Sequence, residues 1–140
     1  MRALSIVSLA LVVLLGSCKK DDDPKFTSPD GDWTYTTPDG KIGVSFTIKQ
    51  DGSTLKFSNE AMTVDGTDCV AALQAFNVTT TKVGSIRINA NDQKVTYDYF
   101  ILFTDAEVSA DFTQIKVPGA MYTWPFDKTN QLTDIVIARK

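Results

Sequence analysis

From Gly31 onward, apolar and polar residues alternate in short runs separated by turn residues, the pattern of an antiparallel all-β domain with one face in the core and one in water. Trp33, Tyr35 and Thr37 alternate with Thr34 and Thr36, and Thr37-Pro38-Asp39-Gly40-Lys41 then supplies a turn. The cleanest alternation follows, with Ile42, Val44, Phe46 and Ile48 on one face and Gly43, Ser45, Thr47 and Lys49 on the other. Asp51-Gly52 predicts the next turn, Leu55 and Phe57 a short third strand, and Glu60 to Val64 a fourth that ends at Asp65-Gly66.

The stretch Thr67 to Phe76 departs from this pattern. Cys69, Ala72, Leu73 and Phe76 fall at i, i+3, i+4 and i+7. Ala71 to Ala75 are good helix formers, Thr67 is a suitable cap, and Asp68 suits the positive end of a helix dipole. One short helix, with its apolar face on the sheet, is the expectation.

Alternation then returns. Val83 to Asn89 carries Ile86 and Ile88, Asn89 to Asp92 turns, and Lys94 to Phe103 is the longest predicted strand. It places Val95, Tyr97, Tyr99, Ile101 and Phe103 inward. Phe100 and Leu102 make its other face apolar as well, so the helix or a partner is expected to cover them. Asp105, Glu107 and Asp111 are read as a loop, and Ile115 to Val117 as a strand ending at Pro118-Gly119. Tyr122, Trp124 and Phe126 form the next strand, and Leu132 to Arg139 the last, with Ile135, Ile137 and Arg139 on one face. About eight strands in residues 31–140 must close into a barrel or fold as a sandwich, because open edges invite aggregation.

Residues 1–30 are written differently. Arg2 is followed by the apolar run Ala3 to Leu15 and by the small residues Gly16-Ser17 before Cys18, a secretory signal too short to span a bilayer comfortably. Leu15-Gly16-Ser17-Cys18 resembles the bacterial lipobox. The resemblance implies cleavage after residue 17 and lipidation of Cys18, which would anchor residues 18–140 to a membrane. Each buried CH₂ contributes about 0.8 kcal/mol, so two or three acyl chains hold firmly where one is marginal. Lys19-Lys20-Asp21-Asp22-Asp23-Pro24 resembles the tag that follows the lipidated cysteine in surface lipoproteins of the Bacteroidetes. That implies an outer-membrane, cell-surface location. Residues 18–30 then read as lipidated cysteine and charged linker, of which Lys19 to Asp30 reaches at most about 40 Å.

Gly31-Asp32-Trp33 at the head of the first strand, with Arg139 at the end of the last, is similar to the lipocalin pattern. The similarity implies a small lipocalin-like barrel in which the Trp33 ring closes one end and Arg139 lies across it, a cation–π contact of about 0.5–2 kcal/mol.

Removing residues 1–17 takes one basic residue and no acid from a chain of net charge −3, leaving a mature balance of −4. With no basic stripe, nucleic acid is not an expected partner. With Cys18 lipidated, Cys69 has no second cysteine to pair with and reads as a small, buried apolar residue.

The chain has no histidine, which removes histidine-based triads and ordinary zinc sites, and it has no glycine-rich phosphate loop. Asp105, Glu107 and Asp111 lack calcium-loop spacing, so no metal, no cofactor and no catalytic residue is expected. The remaining chemistry is aromatic. Tyr97, Tyr99, Tyr122 and Trp124 are the candidate ligand-binding residues, each with an apolar body and a polar tip.

Three readings follow. The first is a non-catalytic barrel that holds a small apolar or sugar-like ligand in an interior cavity. The second is an accessory module with a filled barrel that binds a surface protein. The third, an enzyme, requires converging carboxylates with shifted pKa values and ranks well below the other two.

Overall fold

A computed structural model of the chain describes residues 26–91 and 98–140. The predicted signal peptide, Cys18, the charged residues up to Lys25, and Val95 and Tyr97 lie outside the described residues. The described residues form eight antiparallel strands closed into an up-and-down barrel in sequence order. The strands are β1 (Gly31–Thr36), β2 (Ile42–Asp51), β3 (Thr54–Val64), β4 (Thr67–Phe76), β5 (Lys82–Asn91), β6 (Asp98–Val108), β7 (Gln114–Thr123) and β8 (Thr129–Arg139). The barrel, not the sandwich, is the architecture.

The expected helix at 67–76 is strand β4. It forms seven rungs with β5, from Val70↔Asn91 to Phe76↔Ser85, and three with β3. Cys69, Ala71, Leu73 and Ala75 turn inward and Val70, Ala72, Gln74 and Phe76 outward. Because Val70, Ala72 and Phe76 are apolar too, the period of two was hidden and the helical spacing stood out. Closing the barrel overrides the weak helix preference of alanine and glutamine.

Other boundaries differ from expectation as well: β5 runs through Asn91 where a turn was expected from Asn89, and Trp124 and Phe126 lie beyond β7 instead of on a strand with Tyr122. Leu55–Phe57 and Glu60–Val64 belong to the single strand β3, which carries an extra residue where the pairing shifts between Ser45 and Thr47 of β2. Asn59 takes a left-handed φ of 53° at that bulge. Ile115 and Tyr122 likewise lie on the single strand β7, which runs through Pro118. Proline is tolerated there because pairing lapses on both sides of it, between Thr104↔Gly119 and Glu107↔Lys116 on β6 and between Val117↔Ile135 and Gly119↔Thr133 on β8, where Asp105 and Asp134 take φ of 53° and 52°. Asp105 and Glu107 are therefore strand residues on β6, whereas Asp111 is in a loop as expected.

Every strand except β4 contributes fully buried apolar side chains to one interior cluster. Trp33, Ile42, Ile86, Ile88, Ile101, Phe103, Ile115 and Ile137 are all 0% exposed. The Tyr35 and Phe103 rings meet edge to face at 5.7 Å, and those of Phe46 and Phe57 lie 5.9 Å apart. An eight-stranded barrel is just wide enough for its own side chains to fill. A recess of about 570 Å³ runs along the outside of the barrel past Asp105, Lys116, Pro118 and Asp134.

The ends of the barrel differ. At the end where residues 26–30 enter, Trp33 Nε1 donates to the Pro29 carbonyl at 3.1 Å. Arg139 donates to the carbonyls of Ser28 (2.9 Å), Phe112 (3.1 Å) and Asp30, and its guanidinium lies 3.6 Å from the Phe26 ring centroid and 5.8 Å from that of Trp33. Gly31 makes room for it, since a Cβ there would sit 2.9 Å from Arg139 Nε. Residues 26–30, read as linker, are thus part of the barrel's packing. This cluster matters because β1 and β8 share only two rungs, Trp33↔Arg139 and Thr34↔Ala138.

Candidate functional site

The opposite, distal end carries the β1–β2 turn, the two-residue β3–β4 turn and the β7–β8 loop. It gathers three of the four predicted ligand-binding residues. Tyr99 enters at the start of β6, Tyr122 sits near the end of β7, and Trp124 follows one residue beyond β7. The Tyr99 and Trp124 rings lie 6.1 Å apart at 33°, with Tyr99 buried and Trp124 half-buried. Tyr97 and the lipidation candidate Cys18 are outside the described residues. Trp33 and Arg139 stand together at the other end.

Charged residues that sequence reading assigned only to a turn complete this rim. Lys41 Nζ lies 5.5 Å from the Trp124 centroid and 2.7 Å from Asp65 Oδ1. Tyr122 Oη donates to Asp39 Oδ2 at 2.8 Å, while Thr37 Oγ1 and the Lys41 amide donate to Asp39 Oδ1 at 2.5 and 3.0 Å. The signal for this arrangement was the turn chemistry itself, since an aspartate two residues after a threonine captures nearby donors. What the chain could not reveal was the pairing of Asp39 with Tyr122, 83 positions away.

Electrostatics keep this pair in fixed protonation states. Partial burial pushes the Asp39 carboxyl up, but donors from Thr37, Lys41 and Tyr122 outweigh it and hold it below the ordinary carboxylate range. Burial, then the hydrogen bond to Asp39, pushes the Tyr122 phenol up to about 12. Burial also raises the neighbouring Tyr35 phenol, with the Asp39 charge adding to it, and Tyr35 Oη has no hydrogen-bond partner among the described residues. At neutral pH Asp39 is ionised and Tyr122 protonated, so the pair braces the rim.

The sign of the Tyr122 shift gives a measurable consequence. A phenol whose pKa is raised on folding stabilises the native state fully below the unfolded value of 10.0, and that contribution disappears as pH rises toward about 12. Stability is expected to fall through this window. Phenolate absorbance should show a late-titrating tyrosine that Tyr122→Phe removes, and a Tyr122 that titrates at the ordinary value of 10.0 would contradict the bond to Asp39.

Among the described residues the acids do not assemble elsewhere. Asp111 is locked into its own turn by Ser109 Oγ at 2.6 Å and by the Thr113 hydroxyl and amide at 2.8 and 3.2 Å, which lower its pKa to about 2. Asp105 and Glu107 lie along the outer recess beside Lys116. No group of three or more acidic or cysteine side chains among the described residues is placed to hold a metal ion. Cys69 is half-buried on β4, with Sγ 3.6 Å from the Thr67 carbonyl. Phe100 and Leu102 are half-buried on the outer wall, where the Arg87 guanidinium rests 4.6 Å from the Phe100 centroid.

The rim can therefore offer the half-buried Trp124 ring, a lysine ammonium and a fixed carboxylate to something that docks on it. No protein-family model, curated protein or solved structure matches the chain.

Proposed function

We propose that the protein is a lipid-anchored lipoprotein of the outer membrane surface, and that it acts without catalysis as an accessory module that binds another surface protein through its distal rim. The observation that carries this reading is the filled interior. Side chains 0–1% exposed occupy the space a ligand would need, from Trp33 through Phe46, Met62 and Ile86 to Phe103. Of the two binding readings, a packed barrel supports the accessory module over the interior ligand.

The resemblance of Leu15 to Cys18 to a lipobox supports the anchor. A lipid at Cys18 lies only eight residues before Phe26, which is packed against Arg139 at the Trp33 end. That end then faces the bilayer, and Tyr99, Tyr122, Trp124 and Lys41 face away from it. The registration of Trp33 opposite Arg139, below Gly31, supports placing the domain with lipocalin-like barrels that have lost their cup.

Photo-cross-linking on intact cells tests the reading. A p-benzoylphenylalanine in place of Phe126, on the exposed distal loop, is expected to give a discrete protein adduct. The same group in place of Ser53, in the turn at the other end, is expected to give none. Cys18→Ser should move the protein out of the membrane fraction and abolish the adduct. Equal adducts from both ends would overturn the rim as the contact surface, and unchanged membrane retention would overturn the anchor. Stoichiometric labelling of the interior by a photoactivatable fatty acid would restore the ligand-carrying barrel.

A further inference from the structure

β4 is the loosest stave of the barrel. It has no fully buried side chain, and its three rungs to β3 stop at Met62↔Cys69. Below that point β3 bends at the Asn59 bulge and follows β2, through Ser58↔Thr47 and Phe57↔Ile48. From Val70 to Phe76, β4 keeps its ladder to β5, but its β3-facing edge has no strand partner.

Natural sheet edges are guarded by lysine, proline, bulges or a covering element. This one is not guarded in those ways, since Cys69 to Thr81 contains no charged residue, no proline and no glycine. Val70 and Phe76, at 60% and 52% exposure, are the most exposed large apolar side chains among the described residues. Both point outward on β4, three residues on either side of Leu73.

That placement is self-complementary. Antiparallel pairing of two copies about a two-fold axis through Leu73 sets each Val70 directly opposite Phe76 of the other copy. Directly opposed residues of an antiparallel pair lie on the same face of the sheet, so both exposed pairs meet. A β-branched side chain against an aromatic one is a favourable cross-strand pair. Ala72 meets Gln74 between them, and no charge meets a like charge. We infer that the Val70–Phe76 edge of β4 is a homodimer contact, an isologous strand pair that joins two barrels and caps the open edge of each.

Sedimentation velocity at physiological salt tests this on the chain from residue 18, carrying Cys18→Ser so that it stays in water. The expected result is a dimer at 100 µM, a concentration on the order of that at which weak surface contacts become populated. Val70→Lys combined with Phe76→Lys opposes two lysines across the axis and is expected to raise the dissociation constant at least tenfold. Val70→Lys combined with Phe76→Glu opposes lysine to glutamate and is expected to restore the dimer. Unchanged thermal midpoints would show that these exposed substitutions leave the barrel folded. A wild-type monomer at 100 µM would overturn the inference, as would a dimer indifferent to both double substitutions or assemblies larger than two. A monomer would also leave the edge to a strand from a different chain.

Discussion

Replacing Gly84 with alanine is expected to cost about 3–4 kcal/mol and to lower the thermal midpoint by roughly 12 °C or more for a domain of this size. Gly84 has a φ of 68° where the β5–β6 register shifts, and a Cβ built on it would lie 2.0 Å from the Phe76 carbonyl oxygen and 2.8 Å from that of Asn77. These are backbone atoms, which cannot swing aside as a side chain would, so the end of β4 and the turn after it would have to move. Gly40 provides the control. Its φ of 70° is similar, but nothing lies within 4 Å of its Cβ position, so Gly40→Ala should carry only the left-handed conformational cost of about 1–2 kcal/mol. Thermal unfolding of the two variants separates the clash from the conformational cost. Equal losses would mean that β5 does not approach the end of β4 so closely.

The second large effect is expected at the closed end. Trp33→Ala removes a fully buried indole, which by itself costs about 3–5 kcal/mol, and leaves the Pro29 carbonyl without its donor. Only two rungs join β1 to β8, so the loss falls on the weakest seam of the wall. Trp33→Phe keeps most of the ring and should cost about 1–3 kcal/mol. Arg139→Ala, which frees the carbonyls of Ser28, Asp30 and Phe112, should cost about 2–4 kcal/mol. Arg139→Lys should recover little of this, because one ammonium cannot span the acceptors that a guanidinium fork reaches. Denaturant unfolding would measure these differences, and a Trp33→Ala barrel as stable as the wild type would show that the closure lies elsewhere.

The strands with one wet face were readable from residue order. On β2, Ile42, Val44, Phe46 and Ile48 are buried and the residues between them are not, as alternation demands. On β4 the alternation is masked because Val70, Ala72 and Phe76 are apolar on its outward face, yet a stronger local signal lies just before it. Asp65 and Gly66 both take positive φ, 48° and 78°, in a two-residue turn joining Val64↔Thr67. Such a turn links two antiparallel strands and leaves no residue to cap a helix, so Asp-Gly followed directly by threonine argued for a strand. β3 and β7 were each read as two pieces, because a bulge and a tolerated proline look like turns when the neighbouring strand is unseen. The expected tally of about eight strands therefore came from a partly different set of elements.

At the distal rim, aromatic content was visible in the chain, and the structure brings Tyr99, Tyr122 and Trp124 to one end. The polar half of the rim was not visible. Asp39, Lys41 and Asp65 look like ordinary turn residues, and only closure of the barrel sets Lys41 beside both Trp124 and Asp65. The packing of Phe26, Ser28 and Asp30 was hidden for a similar reason, since it depends on a guanidinium more than a hundred positions away.

The narrow seam also bears on how the barrel carries mechanical load. The Lys140 amide donates to Asp32 at 2.9 Å, beside the same two rungs that join β1 to β8. Tension applied between Phe26 and Lys140 would peel those rungs one after the other, the direction in which a sheet yields most readily. Tension transmitted from the distal loops to Phe26 would instead run lengthwise along the walls and load many rungs together, so this barrel resists a pull from its rim better than a pull at Lys140.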